Sequence, residues 1–273
     1  MSAATLSSRI EQALTRARDE GRVGLVCYLT GGYPDPRETA GLVRALVDGG
    51  ADAVEIGIPF SDPLADGTTI QRASYRALQA GTTPRRCLEL IREVRASGVV
   101  IPLIVMTYYN PILAYGQDGF VRDAAAAGVD GLIPVDVPPE EAEALAKCCR
   151  AEGVDLIPLV APTSNDERIA AAAGLASGFV YCVSVAGVTG AREALPQELA
   201  AFLARVRRQT KLPLAVGFGI SRREHVEALS GQAEAAIVGS AIVDVIEAAP
   251  RPEREAKVRE YVEVLTGRRK ASV

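Results

Sequence analysis

Eight short apolar runs recur along the chain, each separated from the next by an amphipathic stretch, and this alternation constrains the fold more than any other feature. The runs cover residues 24–30, 53–57, 102–108, 131–135, 155–160, 178–184, 214–217 and 235–238. Helical pattern is strongest at 37–48, 83–97, 119–127, 140–152, 166–173, 197–209 and 222–229. The apolar runs do not alternate with polar residues, so both faces of each strand must be covered, as in a parallel sheet. Glycines precede several of them, in GGADAVEIG, AGVDGLIPV and EGVDLIPLV. A helix closed by Gly and followed by a buried strand is the αβ turn of such a sheet. An open doubly wound sheet is the rival, but its GxGxxG signature is replaced after the first strand by TGGYPDP. The predicted fold class is therefore α/β, a (β/α)8 TIM barrel in one domain over residues 1–273. The polar, amphipathic opening MSAATLSSRIEQALTRARDEGR adds an extra N-terminal helix. Chemistry in such barrels sits at the C-terminal ends of the strands.

Composition narrows the functions. The 48% hydrophobic content supplies a large core, and a net charge of −4 with interspersed signs argues against a nucleic-acid surface. No stretch is long and apolar enough for a membrane span, and the N-terminus lacks the apolar centre of a secretory signal. The five cysteines show no metal-ligand spacing, and their odd number fits a reducing, cytoplasmic setting. Cys27 and Cys182 fall in predicted strands as small buried residues. The only histidine, His225, is expected on the surface of a helix after a Gly-rich loop. With one histidine, neither a Ser-His-Asp triad nor a multi-histidine zinc site is easy to build, and no metal is expected.

The loop after the second run concentrates acids. In VEIGIPFSDPLADGTTIQ a buried run carries Glu55 and its loop carries Asp62 and Asp66. An acid flanked by Val54 and Ile56 is costly unless it is paired or used. Two carboxylates at the edge of a low-dielectric core can take different protonation roles. Asp62 and Asp66 also suit plain turn and cap positions. Late in the chain, SVAGVTGAR, GFGIS and VGSA form three consecutive Gly-rich loops, and the helix after VGSA can aim its positive end at a phosphate. Tyr28, Met106, Tyr108, Ile133, Leu159, Tyr181 and Phe218 are expected around the barrel mouth. Together these features suggest a flat apolar substrate with a phosphorylated tail.

The chain resembles the tryptophan synthase alpha chain family end to end, through YLTGGYPDP, EIGIPFSDPLADG, MTYYNPILAYG, DVPPEEAEAL, LVAPTSNDERI, GVTGAR, VGFGIS and GSAIV. The resemblance implies a cofactor-free lyase that reversibly cleaves indole-3-glycerol phosphate to indole and glyceraldehyde 3-phosphate. By motif, Glu55 would be the acid/base and Asp66 would hold the indole N–H. Tyr181 would orient Glu55. Gly190, Gly219, Gly239 and Ser240 would hold the phosphate, and Thr189 would close a loop over Asp66. Tyr28, Met106, Tyr108, Ile133 and Phe218 would surround the indole. The family pairs with a pyridoxal-phosphate beta chain as αββα, with Asp62 and Asn110 near the contact.

Three departures stand out. Thr68 replaces a usual Pro, Pro134–Val135 inverts the common order near Asp136, and Val185 stands where some members carry Arg. The first two motivate an alternative, a stand-alone indole-3-glycerol-phosphate lyase of secondary metabolism. A non-catalytic regulatory subunit is a third reading, and retention of both acids argues against it.

Overall fold

All eight expected strands are present in the computed structural model, which describes residues 7–184, 197–217 and 219–270. They are β1 (Gly24–Thr30), β2 (Ala53–Gly57), β3 (Leu103–Thr107), β4 (Gly131–Pro134), β5 in two pieces (Asp155–Leu156 and Leu159–Val160), β6 (Val180–Val183), β7 (Leu214–Gly217) and β8 (Ala235–Val238). Every pairing is parallel, and β8 returns to β1 with Gly24 beside Ala235 and Cys27 beside Val238.

The fifth strand closes the ring. Its first piece registers with Gly131 and Leu132 on β4, its second with Tyr181 and Cys182 on β6. Between them Ile157 N–H donates to Leu132 O at 2.9 Å, and Pro158 O accepts from Tyr181 N–H at 3.1 Å. Pro158 has no N–H to offer a ladder, which is why one predicted run becomes two pieces. The barrel expected from the sequence stands, with one strand divided by its proline.

Alternate side chains point inward. Val26, Ala53, Ile104, Ile133, Ile157, Phe179, Tyr181, Ala215, Ala235 and Ile237 form an interior cluster separate from the larger shell between strands and helices. The extra helix, Arg9–Asp19, closes the N-terminal end by adding Ile10 and Leu14 to that cluster. Its first turn is capped by Ser8, whose Oγ accepts from Glu11 N–H at 3.2 Å. Both plug residues are fully buried, about 1.5–3 kcal/mol each by area. A Cβ at Gly131 would stand 2.7 Å from Ile10 Cδ1, so the glycine makes room for the plug.

The same end carries a device that the sequence reading did not identify. Asp52, Asp130 and Glu234 each precede a strand and accept an N–H from the first or second residue of the strand before it. The bonds run from Leu25 N–H at 2.9 Å, Leu103 N–H at 2.8 Å and Leu214 N–H at 2.7 Å. Each acid is paired with an arginine, Arg22, Arg95 or Arg207. Acids of this kind, buried at Asp52 and part-buried at Asp130 and Glu234, tie strands together through their partners. They contrast with the acids at the opposite end.

The helix Gln197–Gln209 has its expected limits, and Pro84–Ala96 lies within one residue of them. Helices Tyr109–Tyr115 and Arg254–Thr266 are additional to the sequence expectation. No helix among the described residues is long and apolar enough to cross a membrane.

Candidate active site

Glu55 points into the barrel from β2, in register with Tyr28 on β1 and Ile104 on β3. It is 1% exposed, and its Oε2 has no hydrogen-bond partner among the described residues. Burial pushes its carboxyl up to about 8, and the negative charge of Asp66 adds to the shift. Asp155 is also buried with one carboxylate oxygen unpartnered, but it stands at the start of β5, whereas Glu55 opens into a cavity at the C-terminal end of the strands, where such barrels place their chemistry.

Asp66 reaches the same cavity from loop 2, residues 58–67 between β2 and the helix Thr68–Gln79. Burial pushes its carboxyl up to about 6, while a hydrogen bond from Tyr108 acts in the opposite direction. The loop is tied down at several points. Ile58 N–H donates to Met106 O at 2.9 Å, Ala65 N–H to the Tyr108 hydroxyl at 2.8 Å, and Gln71 Nε2 to Asp66 O at 2.8 Å. Thr68, the departure from Pro, begins the next helix with Gly67 as its extended N-cap. The neighbouring Thr69 hydroxyl donates to Asp244 Oδ1 at 3.2 Å. The loop exit is therefore held by polar contacts in place of a proline ring. Asp62, by contrast, is exposed and takes the Ser61 hydroxyl at 2.5 Å.

Apolar walls come from Tyr28, Met106, Ile133, Leu159 and Tyr181, as expected, with Ile70, Val135 and Ile237 added by the structure. Tyr28 and Tyr181 each lie across a glycine of the next strand. A Cβ at Gly57 would be 2.3 Å from the Tyr28 hydroxyl, and one at Gly217 would be 2.2 Å from the Tyr181 hydroxyl. These glycines let two rings lie flat in the mouth. The Tyr28 hydroxyl pairs with Thr30 Oγ1 at 3.1 Å. The Tyr181 hydroxyl lies over Gly217, and Glu55 Oε2 receives no bond from it. Tyr108 stands behind loop 2, with its ring 5.1 Å from that of Phe60.

Across β1 from Glu55, the late turns form the opposite wall. Gly219, Ile220, Gly239 and Ser240 line the cavity. Gly219 has φ +79°, a left-handed conformation suited to glycine. The helix Ser240–Ala248 starts after Gly239, whose carbonyl accepts from Ile242 at 2.9 Å and Val243 at 3.2 Å. Its first N–H groups, at Ser240 and Ala241, have no place in the helical ladder, and a helix start of this kind favours negative charge. Thr189, Gly190 and Phe218 lie outside the described residues, as does Val185.

His225 corrects the sequence expectation. It is buried, and its Nδ1 accepts from Ser221 N–H at 3.3 Å. Burial and the neighbouring Arg222 lower its pKa and keep the ring neutral. Tyr261 donates to Ser221 O at 2.6 Å from the last helix. The only histidine thus braces the turn that presents Gly219. Near the other departure, β4 is regular through Pro134, Val135 N–H donates to Thr107 O at 3.0 Å, and Asp136 accepts from Tyr109 N–H at 2.7 Å.

Comparison with known proteins agrees with this geometry. A family model described as "Tryptophan synthase alpha chain" matches residues 14–272. A tryptophan synthase alpha chain of Roseiflexus castenholzii is 53% identical over 260 residues, covering 95% of this chain and 100% of that protein. The tryptophan synthase of Saccharomyces cerevisiae is 44% identical over 264 residues, covering 96% of this chain and 37% of that protein. Among solved structures, the tryptophan synthase subunit alpha from Legionella pneumophila superposes with a TM-score of 0.87 at 36% identity, covering 95% of this chain and 97% of that one. A Mycobacterium tuberculosis tryptophan synthase structure gives 0.86 at 38% identity, covering 96% and 98%.

Proposed function

The chain belongs to the tryptophan synthase alpha chain family, and from that premise we propose that Glu55 and Asp66 divide the family's cleavage reaction between them. The protein is a carbon–carbon lyase of tryptophan biosynthesis that reversibly converts indole-3-glycerol phosphate to indole and glyceraldehyde 3-phosphate. The observation that carries the residue assignment is the buried carboxyl of Glu55, its Oε2 unpartnered, in one cavity with Asp66 and the start of the helix Ser240–Ala248.

With its pKa raised to about 8, Glu55 enters the reaction protonated at neutral pH. It gives its proton to indole C3. The ring becomes an indolenine cation, and the Asp66 carboxylate, ionised above about 6, stabilises that charge at the ring N–H. Glu55, now a carboxylate, removes the proton from the hydroxyl on the adjacent glycerol carbon. The C–C bond breaks, its electrons restore the aromatic ring, and the hydroxyl carbon leaves as the aldehyde. Glu55 ends protonated, so the cycle closes without an external acid. The phosphate at Gly219, Gly239 and Ser240 fixes the distance between tail and ring.

As an alpha subunit the protein works with a beta chain, and we propose an αββα assembly. Leu64 on loop 2 is 94% exposed and Leu113 on the helix Tyr109–Tyr115 is 54% exposed, and both lie on the segments assigned to the partner. The five cysteines are free thiols, which suits a cytoplasmic setting. Indole release from indole-3-glycerol phosphate, measured with and without a tryptophan synthase beta chain, tests the reading. Slow release alone, raised many-fold by the partner, is expected. A folded chain releasing no indole in either condition overturns it, and fast release indifferent to the partner favours the stand-alone alternative.

A further inference from the structure

The starts of two helices line the cavity, Thr68–Gln79 through Gly67 and Ile70, and Ser240–Ala248 through Gly239 and Ser240. The first follows loop 2, and the second is the helix that the lyase reading gives to the phosphate. Their flanks are joined by side chains. Thr69, Arg72 and Arg76 are spaced i, i+3, i+7 and form one stripe on the first helix. Asp244 and Glu247, spaced i, i+3, form the facing stripe on the second. The Thr69 hydroxyl donates to Asp244 Oδ1 at 3.2 Å. Arg72 forks onto Glu247, with Nε 3.3 Å from Oε1 and Nη2 2.6 Å from Oε2. Its Nη2 also lies 3.7 Å from Asp244 Oδ1. Arg76 adds a contact to Glu247 at 3.5 Å, and its guanidinium sits 5.3 Å from the centre of the buried Tyr33 ring.

We propose that this clamp, Thr69 and Arg72 against Asp244 and Glu247, is a set of positioning residues that holds Asp66 at a fixed span from the start of the helix Ser240–Ala248; its role in turnover rests on the lyase reading above. The connection to Asp66 is short. Gln71, between Thr69 and Arg72, donates from Nε2 to Asp66 O at 2.8 Å and from its backbone N–H to Gly67 O at 3.0 Å. The end of loop 2 is thereby fixed to the helix that carries the clamp. The anchors of the loop at Ile58 and Ala65 hold it to Met106 and Tyr108, on the β3 side of the cavity. The clamp joins it to the late turns. A lone ion pair with side chains 47% and 32% exposed contributes little, but a forked arginine within a network holds geometry better. A substrate gripped by its tail meets Asp66 in register only while that span is constant.

The test is a double-mutant cycle of Arg72→Ala and Glu247→Ala in the full chain, read by cleavage kinetics and by amide hydrogen exchange. Alanine suits both helices, and circular dichroism checks that each variant is folded. Each single variant is expected to lower kcat about fivefold, the upper range for a part-exposed ion pair, with KM moving less than about twofold. The double variant is expected to lose about fivefold as well, not about twenty-fivefold, because both changes remove one contact. The amides of residues 58–67 are expected to exchange about fivefold faster in all three variants, with those of the strands unchanged. Wild-type kcat in the single variants, losses that multiply in the double, or unchanged exchange in loop 2 each overturns the proposal. A wild-type chain that releases no indole overturns the lyase reading instead, and the exchange cycle then decides by itself whether the clamp holds the loop.

Discussion

Replacing Glu55 by Gln is expected to lower kcat/KM for indole-3-glycerol phosphate by about 10³-fold or more while making the folded chain more stable at alkaline pH. General acid–base catalysis contributes roughly 10²–10⁴-fold per positioned group, and Glu55 serves two proton transfers in one turnover. Gln keeps the shape but can neither give nor take the proton. The stability effect follows from linkage. Burial raises the folded-state pKa of Glu55 from 4.5 to about 8. Between those values the native state holds a proton that the unfolded chain releases, so wild-type stability falls as pH rises through that window. The glutamine amide carries no such proton. The variant should match the wild type near pH 4.5 and gain on it up to about pH 8, by a few kcal/mol at most. Denaturant unfolding of both proteins across that range checks the sign. A variant that retains wild-type cleavage, or loses stability relative to wild type as pH rises, contradicts the assignment.

Asp66→Asn is expected to lower kcat by about 10²–10³-fold, the magnitude typical of removing one preorganised group from a developing charge. The amide can still meet the indole N–H through its oxygen, so KM should move much less than kcat. Because burial also disfavours the Asp66 charge, the variant should fold with no loss of stability at neutral pH. Single-turnover kinetics with chemistry isolated from product release distinguish this from a binding defect. A rise in KM with kcat intact would show that Asp66 only anchors the ring.

Much of this architecture is legible in the residues because burial on both faces leaves strands continuously apolar. The runs 24–30, 53–57, 214–217 and 235–238 coincide with β1, β2, β7 and β8. What sequence reasoning misses has local causes. The run 155–160 is divided by Pro158, whose missing N–H shows only once two neighbours compete for the strand. The helix Tyr109–Tyr115 is hidden by Pro111, which reads as a breaker in sequence but sits in the first helical turn, where an N–H is not required. His225 reads as exposed because Arg223–Glu227 is too short for periodicity to show a buried face. Glu55 is conspicuous as an acid inside an apolar run. Asp52, Asp130 and Glu234 are not separated from it by type, and their arginine partners from other segments reveal them as structural. The Tyr108 hydroxyl, aimed at loop 2 from the end of β3, depends on packing that no spacing encodes.

Catalysis that starts from a protonated Glu55 beside an ionised Asp66 is tested most directly by kcat/KM for cleavage, followed by indole release from about pH 5 to about pH 10. A profile that rises through about 6, where Asp66 ionises, and falls through about 8, where Glu55 loses the proton it must donate, is predicted. The alkaline limb is decisive, since the substrate phosphate is already fully ionised there. A rate that keeps climbing or stays level through about pH 9, with the fold intact, would contradict it.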